Sequence, residues 1–373
     1  IIHWLSIGIA LRGFIVVQDA QFRRALNYRP LTIRTLAATL IGGAVGISCA
    51  LAGLGAYSLV AQGLTASAIS AILIWTLSAW RPNVSFSKRH AAELFAFARS
   101  VLGFSFIRIF NSKSPGLIVG YFLGPSAAAY FAVADRIYWL VIELITQTIN
   151  RVSVPMFSRI QNEPARLWRI FVQATSLVAL ISFPVCVGIA LVAPDAIPLV
   201  LGKDWQDSAL AVQIVILAGV SASVSFFNGA LLVGIGRPEL RLYAAGIRAV
   251  AGTLLFSLLH FWGIAGIAVA FLLRAALSEP IQLVFLSRAF QPFRWEEYWR
   301  GLSGALSATV IMAVVVIYIS NFLPTTLDAS VTLGIEVISG TLTYVLASLA
   351  TNRRTLLNAA RLVRTARVGQ SND

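Results

Sequence analysis

Charge is what this chain has least of. Only 12% of its 373 residues are Asp, Glu, Lys or Arg, while 58% are apolar; a soluble domain carries roughly 25% charged residues. Cysteine is almost absent: Cys49 and Cys186 both fall inside apolar runs, which excludes a disulfide framework. The three histidines, His3, His90 and His260, stand far apart with no Cys or carboxylate at ligand spacing, so no metal or other cofactor is expected. No connector approaches the ~50 residues a soluble catalytic domain needs. No run alternates with a period of two, as the strands of a transmembrane β-barrel must; Leu177–Ala190, for instance, is continuously apolar or small. There is no signal peptide, and the chain opens inside an apolar run at Ile1, so it is expected to be a fragment whose upstream helices are missing.

What is present is a series of apolar stretches, each near the ~20 residues that cross a bilayer as a helix. Eleven are predicted, near 1–18, 35–53, 55–77, 98–123, 126–149, 170–193, 209–234, 240–260, 266–286, 297–321 and 331–350. The fold class is all-α, a polytopic transmembrane helix bundle. The cations sort by side. Of 29 Lys and Arg, 23 fall in the segments 19–34, 79–99, 151–169, 235–248, 286–300 and 351–373. The alternating connectors near 54, 124, 194–208, 261–265 and 322–330 hold one, Lys203. Short loops rich in Lys and Arg stay cytoplasmic, so the net charge of +14 is a cytoplasmic rim and not a nucleic-acid footprint. The same rule splits 240–286 into a hairpin at Phe261-Trp262-Gly263. A single crossing would set Arg237 and Arg241 opposite Arg288, Arg294 and Arg300.

Phe86–Arg99 is read as a helix on the membrane surface, beside a boundary at Trp80-Arg81-Pro82. The tail from Thr351 holds five arginines and acts as a positive-inside anchor.

Several phrases resemble one family. Gly53-Leu-Gly-Ala-Tyr-Ser-Leu-Val-Ala-Gln62, Gly120-Tyr-Phe-Leu-Gly124 with Ala129-Tyr-Phe-Ala-Val-Ala134, and Pro155-Met-Phe-Ser-Arg-Ile-Gln161 carry the likeness. So do Ser182-Phe-Pro184, Leu201-Gly-Lys-Asp-Trp205, Asn228-Gly229 and Gly234-Ile-Gly-Arg-Pro238. They are similar to Wzx-type bacterial flippases for oligosaccharide-lipids, within the multidrug/oligosaccharidyl-lipid/polysaccharide exporter superfamily. The resemblance implies a two-lobed transporter fold lacking its first helices. Residues 1–95 would be the second half of the N-lobe, 96–290 a complete six-helix C-lobe, and 291–373 two additional helices with a basic cytoplasmic tail. It implies a polyprenyl-pyrophosphate-linked oligosaccharide as substrate, membrane lipids as surroundings, the inner membrane as location, and a polysaccharide polymerase and chain-length regulator as partners. A multidrug or cation exporter and a lipid II flippase are the alternatives within the superfamily. A membrane-embedded glycan polymerase or glycosyltransferase is the alternative from another class; the absence of an Asp-x-Asp motif and of a long external loop argues against it.

A charge at the centre of a spanning helix costs at least ~2.5 kcal/mol, so it faces a cavity or a partner. Arg12 and Glu336 lie near span ends and are expected to snorkel. The rest are Arg108, Lys113, Asp135, Arg136, Glu143, Arg274 and Glu279. About the turn at Pro125, the depths of Lys113 and Asp135 match, as do those of Arg108 and Glu143, so two ion pairs are predicted with Arg136 left over. Asn111-Ser-Lys-Ser-Pro115-Gly116 is read as a mid-membrane break in the helix, because proline frees a carbonyl. The substrate-cavity candidates are therefore Arg108, Asn111, Lys113, Asp135, Arg136, Glu143, Arg274 and Glu279. The other reading of the break is a kinked packing helix with internally paired charges. Gly116, Gly120 and Gly124 form a small-residue ladder for close helix packing.

Overall fold

The computed structural model describes residues 2–351 apart from 26, 79, 82–86, 161–162, 292 and 325–327. The described residues form eleven helices and no strand. The chain divides into two compact units, Ile1–Leu94 and Phe95–Asp373.

In the first unit, α1 (Ile2–Gly13) and α2 (Val16–Arg24) precede a long pair, α3 (Arg29–Leu51) and α4 (Tyr57–Leu77). The expected first span over 1–18 is not one helix. At 12 residues α1 is too short to cross, and the chain turns at Phe14–Ile15. A hydropathy window does not register a turn made by apolar residues. Small residues set the α3–α4 contact. Ala38, Gly42 and Gly46 make a buried stripe of period four, and a Cβ on Gly42 would come within 2.9 Å of the Ala66 Cβ. The ladder expected at Gly116–Gly120–Gly124 does less. Nothing lies within 4 Å of a Cβ placed on Gly116.

The second unit is built on the part of α5 (Lys88–Arg159) from Phe95 onward; α5 holds helical dihedrals from Lys88 except at Gly124, with φ 85°. The chain reverses there, since a Cβ on Gly120 would sit 3.8 Å from the Ala128 Cβ. Eight residues along a straight helix would separate them by ~12 Å. The backbone of Phe86–Arg99 is thus no separate surface element where it is described, because it runs on into the first half of α5. Nor is the helix broken at Asn111–Gly116. Pro115 removes one hydrogen bond without unwinding the turn.

Then follow α6 (Pro164–Leu201), α7 (Ser208–Gly234), α8 (Pro238–Leu259), α9 (Gly263–Ala289), α10 (Trp295–Phe322) and α11 (Ala329–Thr351). The α8–α9 hairpin turns on a short 3-10 segment, His260–Trp262, and on Gly263 at φ 66°. It closes so tightly that a Cβ on Gly266 would strike the Leu259 carbonyl. The core sits at two levels. One gathers Phe131, Tyr138, Ile216, Phe256 and Phe271; the other gathers Phe157, Phe171, Phe227, Leu286 and Tyr298. The α10–α11 pair packs on α6, where Gly301 lets α10 come down on Ser176.

Eight stretches among the described residues are long and apolar enough to cross a membrane. Two of them, Ser105–Ile145 and Glu239–Ala289, contain the reversals at Gly124 and Gly263. The described chain therefore holds ten membrane-length helices in place of the eleven expected. Leu51, Tyr121 and Phe261 are more than 80% exposed, a surface that suits hydrocarbon and not water. The basic tail beyond Thr351 lies outside the described residues.

Candidate functional site

Two of the predicted residues, Asn111 and Arg274, meet in the second unit. Pro115 has no N–H to offer the carbonyl of Asn111, four residues earlier. The Arg274 guanidinium of α9 donates to that carbonyl at 2.9 Å. The Asn111 side chain in turn donates to the Ala245 carbonyl of α8 at 3.3 Å, while its Oδ1 is buried without a partner. Arg274 is held from its other sides as well. Its charge lies 4.6 Å from the Phe271 ring centre and 5.4 Å from that of Phe256. Gly252 leaves the room its stem occupies, since a Cβ there would collide with Cδ.

Around this knot the field is positive. Arg274 is within electrostatic range of Arg248, Tyr138 and Asp135. Arg248 is within electrostatic range of Tyr138 and Arg241, and Asp135 is within range of Lys113 and Arg274 and accepts a hydrogen bond from Trp139. Four cations thus stand against one carboxylate. Lys113 and Asp135 attract each other but form no ion pair within 4 Å. Arg241 and Arg248 are seven residues apart and share a face of α8. The Arg241 stem crosses α7 at Gly229, where a Cβ would lie 3.1 Å from its Nε.

Arg136 and Glu143 lie elsewhere on α5, on an exposed stripe with Trp139, Leu140 and Leu144 that is turned away from the core of the unit. Arg136 has no ion-pair partner among the described residues. The side chain of Arg108 is outside the described residues, so the predicted Arg108–Glu143 pair is too.

Glu279 belongs to a separate polar knot. Ser225 and Asn228 of α7 and Tyr298 of α10 all donate to its carboxylate, Asn228 at 3.1 Å and Tyr298 at 2.6 Å. Asn228 is fully buried and its Oδ1 has no partner. One level nearer the α10 start, the Trp168 indole donates to Glu297 at 2.7 Å. Glu336 does not snorkel. It is 2% exposed on α11, beside Ser320 and Asp195, with one carboxylate oxygen unpaired.

Sequence reasoning missed Arg248, Tyr138 and Tyr298. The signal available was Ser225 and Asn228, three residues apart on one face of an apolar helix. Polar side chains so placed point to a polar partner on a neighbouring helix.

Fold and site define a multi-pass helical membrane protein with cations set inside its apolar helices. Residues 1–210 match a family described as Polysaccharide biosynthesis protein, and the chain belongs to that family. It is 22% identical over 280 residues to the teichuronic acid biosynthesis protein TuaB of Bacillus subtilis, covering 73% of this chain and 57% of TuaB. It is 25% identical over 242 residues to the lipopolysaccharide biosynthesis protein WzxC of Escherichia coli, covering 61% of this chain and 48% of WzxC. The chain thus spans about half the length of the curated relatives it matches. Its fold is that of a solved structure, the lipid II flippase MurJ in an inward closed conformation. The TM-score is 0.74 at 14% identity, over 95% of this chain and 74% of that one.

Proposed function

We propose that the protein is a flippase that moves polyprenyl-pyrophosphate-linked oligosaccharide repeat units across the inner membrane for surface polysaccharide synthesis. It is a transporter in this reading, not an enzyme. The observation that carries the reading is the surplus of cations at membrane depth: Lys113, Arg248 and Arg274 against Asp135, with Arg136 unpaired on α5. A positive field at membrane depth concentrates an anionic pyrophosphate, and a cation exporter would need the opposite sign. Family membership and the names of the relatives support the same substrate class.

Residues 1–95 then act as the second half of one lobe, 96–290 as a six-helix lobe and 291–373 as two accessory helices with a tail. Transport follows from one lobe rocking against the other. Among the predicted residues the roles divide. Arg136, with Lys113 and Arg108, meets the pyrophosphate, whereas Arg274 and Asn111 hold the α5–α8–α9 junction and Glu279 ties α9 to α7 and α10. A polymerase and a chain-length regulator would take the delivered unit.

The test is surface polymer in cells. Arg136→Ala is expected to abolish it with protein abundance near normal. Arg136→Lys should keep part of it, since a point charge survives while the bidentate fork is lost. Wild-type polymer in Arg136→Ala would remove Arg136 from the site.

A further inference from the structure

The first unit contains a cavity that plays no part in the site above. It has a volume of about 620 Å³ and lies among α1, α2, α3 and α4. It lies beside the turn at Phe14–Ile15, and Ile15 lines it. The Trp75 indole of α4 donates to the Phe14 carbonyl at 3.0 Å, which fixes the turn and brings Arg12, at the end of α1, to the same space as Asp19 of α2. Both oxygens of Asp19 are taken. Arg23 Nε donates to one at 2.7 Å and Arg34 to the other at 2.6 Å. Burial alone would raise the Asp19 carboxyl, but the hydrogen bonds from Arg23 and Arg34 outweigh it and hold the group below its ordinary value of 3.8. Asp19 is therefore a saturated anion that positions two guanidiniums.

Arg12 has no such partner among the described residues. Three cations thus line the cavity against one carboxylate, with the uncommitted hydroxyls of Thr39 and Ser70 beside them. The apolar side is equally defined. Val16 lines the cavity and is also 63% exposed, next to an exposed Phe14, so the rim offers an apolar surface.

We infer that this cavity binds the phosphoryl head of a membrane amphiphile, its chain lying along Val16 and Phe14. Guanidinium forks suit phosphate oxygens, and the apolar wall strengthens their attraction. Two sources carry that chemistry: the polyprenyl phosphate carrier of the proposed substrate, and an anionic phospholipid of the bulk membrane. Only the first rests on the proposed function.

The experiment uses the intact protein in phosphatidylcholine nanodiscs, titrated with polyprenyl phosphate and, separately, with the uncharged polyprenol. Arg12→Gln is the main variant because Arg12 does not hold Asp19 and its loss leaves that cluster intact. Wild type should bind the phosphate at least about tenfold tighter than the alcohol, and Arg12→Gln should lose about tenfold for the phosphate alone. Arg12→Lys should keep most of the binding. Phosphatidylglycerol at equal mole fraction distinguishes the sources. Displacement of polyprenyl phosphate makes bulk lipid the occupant, and no displacement makes it the carrier. Either result supports a phosphoryl site. Equal binding by Arg12→Gln and wild type, or equal binding of phosphate and alcohol, overturns it. Arg136→Ala, measured beside them, separates the two readings. Loss there with no change in Arg12→Gln removes this cavity and leaves the flippase standing. Loss only in Arg12→Gln keeps the cavity and removes the Arg136 site.

Discussion

Replacing Arg274 by Met tests whether its guanidinium serves the backbone. The side chain donates to the Asn111 carbonyl and rests on two aromatic rings. A hydrogen bond from a charged donor contributes ~1.5–3 kcal/mol, and the ring contacts add ~0.5–2 kcal/mol. Against this, Met avoids the cost of burying a charge, which offsets much of the gain. The net effect of the single change is therefore modest, and a second change is what decides. Asn111 needs Arg274 because Pro115 gives it no N–H. In Pro115→Ala, α5 keeps its helical dihedrals and residue 115 supplies that donor. Arg274→Met alone then strands a buried carbonyl at ~1–3 kcal/mol, and in the Pro115→Ala background it does not. The two substitutions should couple by ~1–2 kcal/mol in the favourable direction. The assay is a double-mutant cycle of unfolding free energies for the intact protein in detergent, followed by tryptophan fluorescence. Additivity to within ~0.5 kcal/mol would refute the reasoning.

The same arrangement recurs on α6, where Pro184 frees the Leu180 carbonyl and Tyr344 of α11 donates to it at 2.5 Å. Tyr344→Phe should cost about 1 kcal/mol, and the cost should vanish in a Pro184→Ala background, as read by the same cycle. Tyr298→Phe removes one of three donors to the Glu279 carboxylate and should lower stability by ~1–3 kcal/mol, with Glu279→Gln partly restoring it. Asp19 gives a pH signature. Its folded-state pKa is lowered, so the stability it contributes is present above 3.8 and is lost as pH falls through the folded value. Acid unfolding of Asp19→Asn should lack that loss, measured as the midpoint shift between neutral pH and pH below the carboxylate range.

Much of this architecture is written in the apolar runs and in the placement of arginine. The reversals at Gly124 and Gly263 follow from charge on either side, because a single crossing would set cations on both faces of the membrane. Lys113 and Asp135 lie at matching distances from the turn, yet the ion pair expected of them does not form within 4 Å. Rotation is not legible. A residue count fixes how deep a side chain lies on a helix but not which neighbour it faces. Arg274 therefore counts as a cavity cation in the sequence, while in the fold it seals the carbonyl that Pro115 frees. Glu279 meets Ser225, Asn228 and Tyr298 from two other helices; the spacing of Ser225 and Asn228 signals a polar partner but not that Glu279 is the one. Glu336 sits near a span end, where a long side chain ordinarily reaches water, yet α10 and α6 cover it. The error over residues 1–18 has a different cause: Phe14 and Ile15 turn the chain without adding any polarity.

The central claim is that the protein moves a lipid-linked pyrophosphate between leaflets. The most direct measurement places the intact protein in liposomes containing a fluorescent polyprenyl-pyrophosphate oligosaccharide and follows its transfer between leaflets with an impermeant quencher. Transfer should be faster than in protein-free liposomes, should fall to that background with Arg136→Ala, and should recover partly with Arg136→Lys. Transfer at the protein-free rate by the wild type, or an uncharged glycolipid moved as fast as the pyrophosphate, would contradict the account.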